Sequence, residues 1–184
     1  FDAGWAVMIR RHLEHCVGGF KWLFLLFLPL MFIAWGWIGD DAGLLWKWLN
    51  ESKLIPSGVT VGEDVLYQHK ASYLNIGFFT LRYFLYFGLW IGLATLMRHS
   101  SYTLDHDPQT KWANRPRRYS TVGILLCALG STFASIDWFM SIEYHWFSTM
   151  YGVWFFAEGM RSALALTVVI LFTLTTKGYL KDLI

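Results

Sequence analysis

SYLNIGFFTLRYFLYFGLWIGLATLM, residues 72–97, carries a single charged side chain, Arg82, in an otherwise aromatic and aliphatic run. The run exceeds the roughly 20 residues that cross about 30 Å of hydrocarbon, so it reads as a transmembrane helix. Three more stretches read the same way: 18–38, where Pro29 predicts a kink, 120–141, and 149–176, which is long enough to tilt or protrude. Composition agrees. The chain is 55% hydrophobic and only 15% charged, where soluble domains carry about a quarter charged residues. Its 11 Trp and 15 Phe are more than one core of 184 residues buries. These features predict an all-α integral membrane protein, a four-helix transmembrane bundle forming one membrane domain over 1–184.

The basic residues orient the spans. Arg10, Arg11 and Lys21 precede or begin the first span; Arg98, Lys111, Arg115, Arg117 and Arg118 lie between the second and third; Lys177 and Lys181 follow the fourth. The other side holds only Lys47, Lys53 and Lys70. This bias predicts that both ends and the 98–119 loop are cytoplasmic, with 39–71 and 142–148 outside, periplasmic in a bacterium. The 39–71 loop has an amphipathic candidate around GLLWKWLN. Basic residues at segment ends rather than in a patch give no reason to expect nucleic acid as a partner. The start at Phe1, without the order of a signal peptide, predicts an internal piece of a longer polypeptide.

Three charged residues fall deep inside the spans. Counted from the outer ends, Arg82 and Glu158 lie roughly 14 to 16 Å deep, with Arg161 at i+3 from Glu158 on the same helical face. Each ionisable group near the bilayer centre costs at least about 2.5–3.5 kcal/mol, so the expectation is a buried cluster in which Glu158 neutralises Arg161, Arg82 or both. That cluster reads either as a clamp between helices or as part of a proton path or quinone site. The outer stretch DWFMSIEYHWFST, 137–149, adds Asp137, Glu143 and His145. They suit a relay of proton carriers toward the midplane, since histidine titrates near neutral pH and desolvation raises a carboxylate toward it. The same stretch also suits an interfacial aromatic belt of Trp138, Trp146, Phe147 and Tyr151, with Asp137 and Ser148 as helix caps.

Cofactor signals are weak. His12, His15, His69, His99, His106 and His145 all lie outside the spans or at their ends, which argues against axial ligands for a membrane haem. Cys16 and Cys127 form no CxxC motif and are too few for an iron–sulfur cluster, so they read as small packing residues.

Two stretches carry a family resemblance. FASIDWFMSIEYHWFSTMYGVWFF resembles the FDWLMSLDPHWFSTIFGVYFF type of segment in the ActF subunit of bacterial alternative complex III. HKASYLNIGFFTLRYFLYFGLW resembles that family's HKAPYLNxPFF segment and the helix after it, and GWAVMIRRHLEH sits where members carry a basic amphipathic approach. Glu143-Tyr144 stands where the family commonly has Asp-Pro, and Ser72 and Gly77 replace prolines. The resemblance implies one half of a larger NrfD-like polytopic protein in the bacterial inner membrane, in a complex that oxidises quinol. It implies as partners an ActC-like paralogue, an iron–sulfur subunit, c-type cytochrome subunits, membrane lipid and the quinol pool. Haem c and iron–sulfur clusters are then expected in those partners, with none in this chain, while bound quinone and the chain's own share in catalysis stay open. It carries over Asp137, His145 and Lys70 as motif positions, and a role in assembly and proton conduction. The readings left standing are a proton-conducting subunit, a direct quinone-binding subunit and a purely structural scaffold.

Overall fold

Asn75 decides where the second span begins. Its side chain accepts from the Phe78 amide at 2.8 Å, and its amide group donates to the Ser72 carbonyl at 2.9 Å. Asparagine satisfies an otherwise orphaned N–H at a helix start, so the helix opens at Ile76 and not at 72. It then continues past 97 to His106, although hydropathy falls away. Thr95, Ser100 and Thr103 donate their hydroxyls to the carbonyls four residues back, which lets polar residues stay helical.

The computed structural model describes residues 4–39, 42–106 and 115–178. Its helices are α1 (Gly4–Val17), α2 (Phe20–Ala34), α3 (Val65–Lys70), α4 (Ile76–His106), α5 (Arg115–Trp138) and α6 (Tyr151–Thr176). Four helical segments are long and apolar enough to cross a membrane: Arg10–Ala34, Ile76–Thr103, Tyr119–Glu143 and Tyr151–Thr176. The chain is thus an all-helical, multi-pass membrane protein. The 98–119 loop expected from hydropathy is largely helix, and 107–114 lies outside the described residues, as do Lys111 and Lys181 from the charge bias.

The bundle is a row: α2 packs on α4, α4 on α5, and α5 on α6. Aromatic rings join the first three. Phe24 and Phe27 of α2 stack on Tyr83 of α4, and Trp138 of α5 meets Phe27 with centroids 4.4 Å apart. The Tyr83 hydroxyl reaches the Phe24 carbonyl at 2.9 Å. The expected first span ends early, at Ala34, in a Schellman turn. The Trp37 amide donates to Phe32 and the Gly36 amide to Ile33, with Gly36 at φ +72°.

At the opposite end α1 lies against α4 and α6. Arg10 bonds Glu14 at 3.0 Å and the Ser101 hydroxyl at 2.5 Å, while Arg11 sits over the Tyr102 ring. Cys16 is exposed on α1, not packed as expected, and Cys127 is partly buried in α5.

α5 and α6 meet closely at Gly152. A Cβ there would stand 2.3 Å from Thr132 Cγ2. Gly152→Ala is therefore expected to lower stability by about 1–3 kcal/mol through overpacking, read as a drop in thermal midpoint in detergent micelles. An unchanged midpoint would mean that the two helices separate freely at this level.

Candidate functional site

The described parts of 39–75 and 139–148 fold together as a cap over one end of the bundle. The GLLWKWLN segment forms no amphipathic α-helix; it makes a 3₁₀ turn at Lys47–Leu49 that buries Trp46 and Trp48. Both indoles pack edge-on to Phe79 near the start of α4, and Trp46 Nε1 donates to the Trp138 carbonyl at 3.2 Å. Residues 54–60 form a tight hairpin closed by a Leu54–Thr60 bridge. Asp64 then caps α3 by accepting from the Leu66 amide at 2.9 Å.

The acids and histidine of DWFMSIEYHWFST are engaged by this cap. Glu143 pairs with Lys47 at 2.6 Å. His145 places Nε2 at 2.7 Å from Asp64 and Nδ1 at 3.4 Å from Glu143. The Tyr144 hydroxyl donates to Asp64 at 2.9 Å, and Lys70 donates to the Tyr144 carbonyl at 2.7 Å. Burial raises the Asp64 carboxyl, but the Leu66 amide, the Tyr144 hydroxyl and His145 outweigh it and hold it below its ordinary value. Burial and Asp64 together push the Tyr144 hydroxyl up, so it remains a donor.

A carboxyl depressed in the fold stabilises the fold fully above its ordinary pKa of about 4, and that contribution is lost as pH falls through the depressed value. The cap is accordingly expected to loosen first on acidification below about pH 4. Amide exchange over 61–75 should rise there in the native protein and far less in Asp64→Asn, which has already lost the titrating group. Equal acid sensitivity in both would rule out this assignment.

Beneath the cap lies a closed ion pair. Arg82 Nε donates to Asp137 Oδ2 at 2.6 Å, and their side chains are 7% and 0% exposed. Tyr73 donates to Asp137 Oδ1 at 2.8 Å and Tyr86 to Oδ2 at 2.5 Å. Arg82 Nη1 donates to the Tyr73 carbonyl at 3.1 Å, and the guanidinium sits over both the Tyr73 and the Phe78 ring, 3.9 and 4.3 Å from their centroids. Ser141 donates to the Asp137 main-chain carbonyl. Arg82 Nη2 is buried without a partner among the described residues. Three donors fill most of the roughly four acceptor positions of the carboxylate, and such partners are what offsets the desolvation of a buried pair.

Of the expected pairings, Glu158 with Arg161 forms and Glu158 with Arg82 does not, and the depth of Arg82 differs from the sequence reading. Arg82 pairs with Asp137, not Glu158, and lies six residues into α4, about 9 Å from its start. The pair thus sits toward the capped end, not at the midplane. Glu158 and Arg161 bond each other on α6 at 2.9 Å, not in a buried cluster, with side chains 37% and 77% exposed. Of the six residues singled out, Arg82 and Asp137 meet, Glu143 and His145 meet in the cap, and Glu158 and Arg161 meet on the opposite face of α6 from α5. Tyr73 and Tyr86 were missed. Tyr86 had a legible signal, at i+4 from Arg82 on the same face.

A hollow of 540 Å³ adjoins Tyr73, walled mainly by apolar side chains, with His69, Lys70 and Ser141 as its polar members. No three His, Cys, Asp or Glu side chains converge as metal ligands among the described residues. No family model matches the chain, and no curated protein matches it.

Proposed function

We propose that this chain is a structural membrane subunit of a quinol-oxidising respiratory complex of the alternative complex III type, in the bacterial inner membrane with both ends cytoplasmic. The ActF-like stretches at 69–90 and 133–156 support the choice of complex. The positive-inside bias supports the orientation. One observation carries the structural role: Asp137 is wholly enclosed, and its carboxylate is taken up by Arg82, Tyr73 and Tyr86. A proton carrier must exchange with water on each side, whereas this enclosed carboxylate, held by three donors, ties α4 to the end of α5. The NrfD-like bundle, the iron–sulfur and c-type haem partners and the contact with quinol come with the same reading.

The test is assembly. In membranes carrying Asp137→Asn, the amount of intact complex is expected to fall, while quinol oxidation per assembled complex stays at the native level. Normal assembly with impaired turnover would reject the structural role. Assembly of this chain into a complex with no quinol-oxidising activity would reject the choice of complex.

The hollow beside Tyr73 favours a second reading, direct quinone binding. Its apolar walls suit an isoprenoid tail, and His69, Lys70 and Tyr73 offer hydrogen bonds to a head group. A photoreactive quinone analogue would then label 66–74; labelling confined to partner subunits excludes it.

A further inference from the structure

A small hollow opens between the α1–α2 junction and α4, at the end of the bundle away from the cap. It measures 190 Å³ and is lined by apolar side chains, Phe20, Ile91 and Ala94 among them, with Lys21, Arg98 and His99 as its basic members and no acid. Gly18 shapes it. A Cβ there would stand 2.7 Å from Arg98 Nη1, so the missing side chain lets the guanidinium fold back against the main chain. Neither Arg98 nor Lys21 has a hydrogen-bond acceptor among the described residues. Arg98 lies 22 residues after Ile76, about 33 Å along α4, just past the roughly 30 Å of hydrocarbon. Two cations without a partner thus stand at the level of lipid phosphates, beside an apolar lining.

We propose that this hollow binds the phosphodiester group of an anionic phospholipid. Lys21 and Arg98 donate to the phosphate, and the glycerol and first acyl carbons cover Phe20 and Ile91. Size, charge and level select that occupant together. A helix, about 10 Å across, does not enter a space of 190 Å³, so a polypeptide segment is too large. Two cations with no acid beside them call for an anion, and basic pockets between membrane helices at this level take anionic head groups. A zwitterionic head group brings its own ammonium against Lys21 and Arg98 and is disfavoured. Inorganic phosphate shares the charge but leaves the apolar lining uncovered. Held there, the lipid bridges the start of α2 to the far end of α4.

The test uses the protein purified from its native membranes in detergent, with a phosphatidylglycerol that carries a photoreactive diazirine in its head group. Adducts are expected within 17–21 and 91–102. With Lys21→Gln and Arg98→Gln together their yield should fall about tenfold, while labelling of α6 by the same lipid stays constant. Neither cation has a hydrogen-bonding partner in the fold, so this double variant should keep the native thermal midpoint when no lipid is added. Thr95→Phe crowds the hollow and keeps both charges, and it should lower the yield as well. Equal labelling by the matching phosphatidylcholine would show that charge selects nothing here. Loss of labelling on adding excess inorganic phosphate at constant ionic strength would assign the hollow to the free ion. Either result would overturn the proposal, as would adducts confined to other surfaces or a yield indifferent to both variants.

Discussion

Arg82→Leu is expected to cost about 3–5 kcal/mol, because it leaves Asp137 charged and enclosed. For a chain of this size that corresponds to a fall in thermal midpoint on the order of 10 °C. The logic of a buried pair gives the companion result. Adding Asp137→Leu to Arg82→Leu should recover much of the loss, since removing both charges also removes their desolvation. Recovery stops short because Tyr73 and Tyr86 lose their acceptor, at about 1–3 kcal/mol for each buried hydroxyl left unsatisfied. Adding Tyr73→Phe and Tyr86→Phe should remove that residue of instability. A single variant no less stable than the native protein would mean that water reaches Asp137, and the clamp account would fail.

Trp46→Ala carries the second large effect. Trp46 is 1% exposed, packs edge-on to Phe79 at 5.0 Å and donates to the Trp138 carbonyl at the end of α5. It joins the loop after α2 to both α4 and α5. Truncation is expected to cost about 3–5 kcal/mol. The cap should loosen with it, so proteolysis within 42–75 quickens while the spans stay protected. Unchanged cleavage would place the cap's stability elsewhere, in the Lys47–Glu143 and Asp64–His145 contacts.

Hydropathy made the four spans legible because it measures what a helix must show to lipid, and lipid contact is spread along the whole run. It misplaced the ends for the same reason. Asn75 starts α4 by hydrogen bonding, and Ser100 and Thr103 prolong it by bonding their own backbone; neither is a matter of apolarity. The partner of Arg82 was not legible. Depth counted from 72 rather than 76 put Arg82 beside Glu158, and spacing along one helix does not show which face meets which neighbour. The Lys47–Glu143 pair spans 96 positions and depends on two loops folding onto each other. The concentration of acids in 137–149 was visible from the start; that these groups fasten a cap and a helix end became visible only with their partners.

The clamp and the proton path part most sharply over protons released per electron. The measurement is quinol-driven proton release by the whole complex in liposomes, native against Asp137→Asn, normalised to electrons transferred. The account predicts the same ratio in both, with less complex assembled in the variant. Full assembly and normal electron transfer with a reduced ratio would contradict it, and would make Asp137 a proton carrier.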